Sequence, residues 1–246
     1  MPLSLQEYAD EFAGELNELV KNVFPGSHPK FSALALDEEG TRVSVTTRSE
    51  LKNIPLILTL AKRRGIPKIH ASIEFRCHWS SERNFLSVDE SYMDLKIADN
   101  PNPLFRYEFD KKIHDSLPTA HLHIHAHRDE ISWLMIQGRS KRPKALIKQQ
   151  KMPILSSIHF PLGGERFRPS IEDFFEFSIN EFGLSTRNGA QKALENGRIK
   201  WKRKQLHAAI FDSQIEAANA LESLGWKVML PEKGIAEPRI RRIKKL

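Results

Sequence analysis

Four segments between residues 70 and 127 alternate apolar and polar residues, and this pattern constrains the fold more than any other feature of the chain. The segments cover residues 70–79, 85–97, 104–110 and 119–127, and short loops separate them. Alternation with a period of two is typical of β-strands, because successive side chains of a strand point to opposite faces. Strands that follow one another through short loops favour an antiparallel meander. We therefore expect a sheet with one face packed against a hydrophobic core.

Helical patterns flank these strands. Apolar residues recur at three- and four-residue steps over the first 24 residues, and Ser4 with Glu7 forms a capping-box pattern at the start. Ser170 with Asp173 marks the start of a second helix, which Gly183 ends. Further helices are predicted over residues 54–64, 188–210 and 213–225, a hairpin over 31–48, and further strands over 155–160 and 227–230. The predicted fold class is α+β: an antiparallel β-meander sheet with an N-terminal helix, a packing helix and C-terminal helices.

The charge of the chain is unevenly distributed. The 246 residues carry a formal net charge of +7, and basic runs occur at residues 139–151, 198–204 and 239–246. We predict an α+β domain over residues 1–183, which carries the histidine-rich strand, and a basic helical C-terminal region over 184–246. Basic clusters attract polyphosphate, so RNA or another nucleic acid is the expected partner.

Several classes of protein are disfavoured by composition. Cys77 is the single cysteine, which rules out an internal disulfide and a thiolate zinc site. No stretch approaches the roughly 18 consecutive apolar residues that a bilayer span needs. The first residues lack the basic and apolar regions of a secretory leader. We expect a cytoplasmic protein without membrane contact.

The most specific chemical signal is a row of alternating histidines. His121, His123, His125 and His127 share one face of the predicted strand 119–127, while the residues between them are apolar. Imidazole exchanges protons near neutral pH and is also a common metal ligand. The row therefore suits either acid–base catalysis or metal binding, and the sequence leaves both open.

Other polar residues are expected beside this face. His159 lies in the predicted strand 155–160, and pairing of that strand with the histidine strand would bring its ring to the same cleft. Arg106 and Glu108 share a face of the preceding strand, and Asp129 and Glu130 follow the histidines as possible orienting carboxylates. The residues predicted to contact substrate phosphates are Arg106, Arg139, Lys141, Arg142, Lys144, Arg166 and Arg168.

Two mechanisms follow from the histidine row. In the first, which needs no cofactor, His123 or His125 deprotonates a ribose 2′-hydroxyl and a neighbour or His159 protonates the leaving oxygen. In the alternative, a divalent transition metal is bound by three of the four histidines with His159 or Glu130. A third interpretation is a basic nucleic-acid-binding module without enzymatic activity.

The segment 104–182 resembles the TumE-type toxins of bacterial toxin–antitoxin systems. The resemblance rests on the Phe105-Arg106-Tyr107 strand, the His-x-His strand that follows, and the helix beginning Ser170-Ile-Glu-Asp173. It implies a compact β-meander with a packing helix, a nucleic-acid target and a neutralising protein partner.

The histidine strand also resembles the His-φ-His-φ-His-φ-φ signature of the histidine-triad nucleotide hydrolases and transferases, where φ is apolar. That similarity implies a nucleophilic role for His123 at an α-phosphate. His127 departs from the signature, because it occupies the last apolar position. We expect an RNA- or phosphodiester-directed hydrolase, of the type of a toxin or defence ribonuclease.

Overall fold

The structure, a computed structural model, consists of one antiparallel sheet and six helices over its described residues. These residues are 4–49, 52–61, 68–80, 85–98, 100–113, 117–126, 132, 136, 141–232, 234–235 and 237–239. The expected α+β class with an N-terminal helix and C-terminal helices is confirmed.

Nine strands form the sheet. They are β1 (Phe31–Ala35), β2 (Arg42–Ser49), β3 (Lys52–Asn53), β4 (Leu56–Leu58), β5 (Ile69–Trp79), β6 (Leu86–Ile97), β7 (Phe105–Asp110), β8 (Ala120–Ile124) and β9 (Phe160–Pro161). The spatial order is β1-β2-β5-β6-β7-β8-β9, with β3 paired to β2 and β4 to β5. Consecutive strands from β5 to β8 are antiparallel neighbours, as the alternating pattern predicts.

The structure describes six helices. They are α1 (Leu5–Val23), α2 (Lys141–Lys148), α3 (Gly164–Phe167), α4 (Ile171–Phe182), α5 (Ala190–Asp212) and α6 (Gln214–Ser223). Ser4 and Glu7 form a capping box at α1, and Ser170 and Asp173 form another at α4. Gly183 ends α4 with a φ of 65°, a left-handed conformation that glycine adopts without strain. Within the described ranges, every helix is too short or too polar to span a lipid bilayer.

One face of the sheet and the helices enclose the hydrophobic core. Alternate residues of β5 are buried on this face, and α1 packs over β1, β2 and β5. Phe174 of α4 is fully buried against Phe105 and Tyr107, with ring centroids 5.5 and 5.9 Å apart. Burying such an aromatic side chain contributes about 1.5–3 kcal/mol. Helix α5 packs against α1 and α4, so the C-terminal helical region contacts the predicted first domain.

Helix α1 also protects the open edge of the sheet. The Asn17 side chain donates to the carbonyl of Phe31 and accepts from its N–H, at 3.0 and 2.7 Å. Gln6 donates to the carbonyl of Ala33 at 3.3 Å. Backbone groups of an edge strand otherwise pair with other chains, so these contacts protect β1 against aggregation.

The helix predicted over residues 54–64 is wrong where the structure describes it. Residues 56–58 form strand β4, which pairs with the start of β5. Leu56 and Leu58 are buried while Ile57 is 44% exposed. The burial of these residues alternates with a period of two, as in a strand. The pairing with β5 outweighs the helical preference that Pro55 indicates.

Other predicted strands are shorter than expected. The segment 155–160 contributes a 3₁₀ turn at Leu155–Ser157 and a single strand residue, Phe160, and β8 stops at Ile124 rather than at residue 127. Residues 227–230 have no regular structure, and Met229 is 88% exposed. β-propensity alone does not form a strand where no partner strand lies beside it. The basic run 139–151 contains α2.

Candidate metal centre

The second face of the sheet carries polar side chains across several strands. Because one face is apolar and the pleat alternates, the residues between the core residues all point to the other side. Register aligns Tyr92, Glu108 and His121 in one row. The adjacent row contains Asp94, Arg106 and His123. The strand pairing that builds the core thus also places two histidines beside a carboxylate and a guanidinium.

Three imidazoles meet at one end of this face. The ring centroids of His121 and His123 are 4.8 Å apart. The ring centroid of His159 lies 4.5 Å from that of His121 and 4.3 Å from that of His123. Strand β9 pairs Pro161 with His121 and Phe160 with Leu122, and the preceding His159 therefore lies beside the histidine strand. The predicted approach of His159 to the histidine strand therefore occurs, although most of its segment is not a strand.

Each of the three rings has its Nδ1 atom next to a backbone carbonyl. The Nδ1 of His121 lies 2.9 Å from the Pro118 oxygen, and that of His123 lies 3.0 Å from the Ser156 oxygen. The Nδ1 of His159 lies 3.3 Å from the Ser157 oxygen. A carbonyl only accepts hydrogen bonds, so Nδ1 carries the proton in the neutral ring and Nε2 keeps its lone pair. Metal-binding histidines typically have this arrangement.

The spacing of the ring nitrogens suits a single ion. His121, His123 and His159 each offer one ring nitrogen, and these atoms lie within 4.8 Å of one another. Two imidazoles bound to one tetrahedral zinc at about 2.1 Å have nitrogens roughly 3.4 Å apart. Small ring rotations would therefore close the three histidines on a metal.

A carboxylate lies against the same histidines. One oxygen of Glu108 is 3.9 Å from Nε2 of His121, and the other is 3.8 Å from Nε2 of His123. Burial raises the pKa of Glu108 and lowers the pKa of His123, because both charged forms lose hydration. The side chain of His121 has 0% exposure. The cluster thus combines three imidazoles with a carboxyl group whose pKa is raised.

His125 lies on the same side but apart from this cluster. It follows the end of β8, and its backbone N–H donates to the carbonyl of Leu104 at 3.1 Å. Its pKa is lowered by burial and then by the positive charge of Arg106, while Asp94 opposes the shift. Within the part of the chain that the structure describes, His125 does not join the group of three possible ligands.

Several predicted site residues lie outside the described part of the chain. His127, Glu130 and Arg139 lie outside the described residues, as does Asp129. Lys141, Arg142 and Lys144 belong to the first turn of α2, and their side chains lie outside the described part of the structure. Their proposed contacts with substrate stay predictions.

The two arginines after the glycine pair have structural partners. The guanidinium of Arg168 lies 3.8 Å from the centroid of the Phe109 ring, and Phe109 belongs to the apolar face of the sheet. Burial of Arg168 lowers its pKa to about 9. The Nε of Arg166 is 2.5 Å from a carboxylate oxygen of the buried Asp212. The structure therefore does not bring these arginines to the histidines, and the phosphate-binding role predicted for them gains no support.

The basic run 198–204 also faces the helices. Arg198 forms ion pairs with Asp173 and Glu176 of α4, which shows that it joins two helices. The Nζ atoms of Lys200 and Lys204 lie 3.9 and 3.3 Å from the Glu15 carboxylate on α1. Because α1 covers the apolar face of the sheet, this run lies away from the histidines.

The carbonyl groups that fix the histidine rings could not be identified from sequence. Pro118, Ser156 and Ser157 contribute only backbone oxygens, which any residue supplies. Glu108, in contrast, had a signal, since it alternates with Tyr107 on the strand before the histidines. Comparisons of the chain with protein-family models, with curated proteins and with solved structures found no match. The two family resemblances of the sequence stay predictions.

Proposed function

We propose that this protein is a metal-dependent hydrolase of phosphodiester bonds, with RNA as its substrate. The observation that carries the proposal is the convergence of His121, His123 and His159, each with Nδ1 against a carbonyl oxygen. Three imidazoles that each bring one ring nitrogen to the same point form a ligand set of the kind found in catalytic zinc sites, where a fourth position stays open.

The ring packing favours this mechanism over metal-free acid–base catalysis. Metal-free cleavage needs a neutral base and a protonated acid on two sides of the phosphate. The three rings here are in contact, at centroid separations of 4.3–4.8 Å, and leave no space for a phosphate between them. Protonated imidazoles so close together would also repel one another in a site of low dielectric.

The choice of metal follows from the ligands. Imidazole nitrogen suits zinc, iron and other transition metals better than magnesium or calcium, which prefer oxygen. When bound, such an ion would polarise the phosphate and lower the pKa of a coordinated water to about 7 in the case of zinc.

The remaining chemistry belongs to side chains of this chain. The carboxylate of Glu108, next to two of the three ligands, accepts the proton of the attacking water. The water oxygen forms a bond to phosphorus, the bond from phosphorus to the leaving oxygen breaks, and Glu108 returns the proton to that oxygen. The raised pKa of Glu108 suits both steps, since it lies nearer to neutrality than that of an exposed glutamate.

The test compares two histidines of one strand face. The His123→Ala variant removes a ligand, whereas His125→Ala removes an imidazole outside the group of three. We expect wild-type protein and His125→Ala to cleave an RNA oligonucleotide, to lose activity in chelator and to regain it with zinc, manganese or iron. We expect no cleavage by His123→Ala at any metal concentration tested. Equal cleavage by His123→Ala, or full activity of the wild type after exhaustive chelation, would refute the proposal.

A further inference from the structure

Arg106 lies next to the candidate metal centre, on the neighbouring strand. It is directly opposite His123 in the pairing of β7 with β8. Its guanidinium lies between two carboxylates, with Nη2 3.8 Å from Asp94 and Nη1 3.9 Å from Glu108. These separations exceed hydrogen-bond distance, so the contacts are electrostatic only.

One donor of Arg106 lacks an acceptor within the part of the chain that the structure describes. Its Nε atom is buried and has no hydrogen-bond partner among the described residues. A buried donor without an acceptor destabilises the fold unless a ligand pairs with it. The planar guanidinium matches the paired oxygens of a phosphate, to which it can donate two parallel hydrogen bonds.

A second arginine on the same face shows the contrast. Arg76 donates from Nε to Glu74 at 3.0 Å and from Nη1 to Glu90 at 2.9 Å. It is therefore held by two hydrogen-bonded carboxylates, as expected of a structural residue. Arg106 has the same kind of neighbours without the hydrogen bonds.

The charge around Arg106 depends on the metal. Arg106 and its two carboxylate neighbours Asp94 and Glu108 sum to a formal charge of −1. A divalent ion at the three histidines changes this local sum to +1. An anion is thus repelled from the metal-free site and attracted to the metal-loaded site.

We propose that Arg106 and the bound metal form a two-point site for the phosphate group of the substrate, and that the metal must bind first. The inference rests on the proposed metal centre and adds the residue that recognises the substrate. The Arg106 guanidinium donates hydrogen bonds to one non-bridging oxygen of the phosphate, and a metal held by the three histidines would attract another. The ligand class is a tetrahedral phosphate, whether free or within a nucleic-acid backbone.

The experiment measures the binding of inorganic phosphate by calorimetry, with protein reconstituted with one equivalent of zinc and freed of excess ion. Arg106→Gln keeps the length and polarity of the side chain, and Arg76→Gln is the matched control. We expect zinc-loaded wild-type protein and Arg76→Gln to bind phosphate equally. We expect Arg106→Gln to bind it at least about tenfold more weakly with unchanged zinc content, from the loss of charge-assisted hydrogen bonds. Metal-free wild-type protein should also bind at least about tenfold more weakly.

Two failures are distinguishable in this design. Full zinc uptake together with wild-type phosphate affinity in Arg106→Gln, or equal affinity with and without zinc, would overturn the inference alone. Failure of the wild type to take up zinc or another transition metal would overturn the proposed function. A dinucleotide phosphodiester in place of inorganic phosphate separates the two sources of the ligand, and its binding must show the same dependence on Arg106.

Discussion

The contact between α4 and α5 allows a sharp test of the packing. Gly197 lies inside α5 and faces Glu172 of α4, which is only 7% exposed. A Cβ atom added at Gly197 would lie 2.9 Å from both Cγ and Cδ of Glu172. This distance is shorter than ordinary carbon contacts of about 3.5–4.0 Å. The Gly197→Ala variant therefore forces the two helices apart or displaces the glutamate.

The expected change in the free energy of unfolding of Gly197→Ala is the difference between two effects. Replacing glycine by alanine inside a helix stabilises it by about 0.8–1 kcal/mol. Overpacking of a well-packed contact costs about 1–3 kcal/mol. We therefore expect Gly197→Ala to lower the free energy of unfolding by roughly 0–2 kcal/mol, which is up to about 8 °C in Tm for a chain of this length. The Glu172→Ala background lacks the clashing atoms, so there Gly197→Ala should stabilise by about 1 kcal/mol.

The assay is a double-mutant cycle by urea unfolding of the wild type, the two single variants and the double variant. The account predicts a coupling free energy of about 1–3 kcal/mol, equal to the cost of overpacking. The effect of Glu172→Ala itself cancels in the cycle. Equal stabilisation by Gly197→Ala in both backgrounds would refute the described approach of the two helices.

Two further predictions concern helix α4. Burial raises the pKa of Glu172, and its Oε2 has no hydrogen-bond partner among the described residues, so the protonated form is favoured on folding. The stability that the protonated Glu172 contributes is present below its unfolded pKa and is lost as pH rises through the folded pKa. Glu172→Gln should therefore raise Tm at pH 7–8 but not near pH 4. An equal gain in Tm at both pH values would contradict this. Ser170→Ala removes an N-cap and should cost about 1 kcal/mol in urea unfolding. The control Ser213→Ala, at a position without a side-chain cap bond, should change little, and equal losses would count against the capping assignment.

Local patterns of the sequence predicted most of the sheet. The strands β5 to β8 have a period of two in their own residues, and two capping boxes mark the starts of α1 and α4. Such signals depend on neighbours in the chain, so a single sequence contains them. Strand β4 was missed because three residues pair only where β5 leaves an unoccupied edge, and that edge is a property of the assembled sheet.

The candidate site could be predicted in part for the same reason. His121 and His123 share a face through strand alternation, and His159 was expected beside them on the assumption of a strand pairing. The placement of Arg168 against Phe109, on the other face of the sheet, could not be predicted, because the loop after β9 gives no local signal of its direction. The carbonyl partners of the rings were hidden for a similar reason, since backbone oxygens have no sequence signature.

The central claim is that three histidines form a metal site. The most direct test is elemental analysis of protein purified without a histidine tag, alongside His159→Ala, whose lost ligand comes from a different segment than the strand. We predict about one equivalent of a transition metal per wild-type chain and a large loss in His159→Ala. Wild-type protein that contains no transition metal, and that takes none up when zinc, manganese or iron is supplied at a slight excess, would contradict the account.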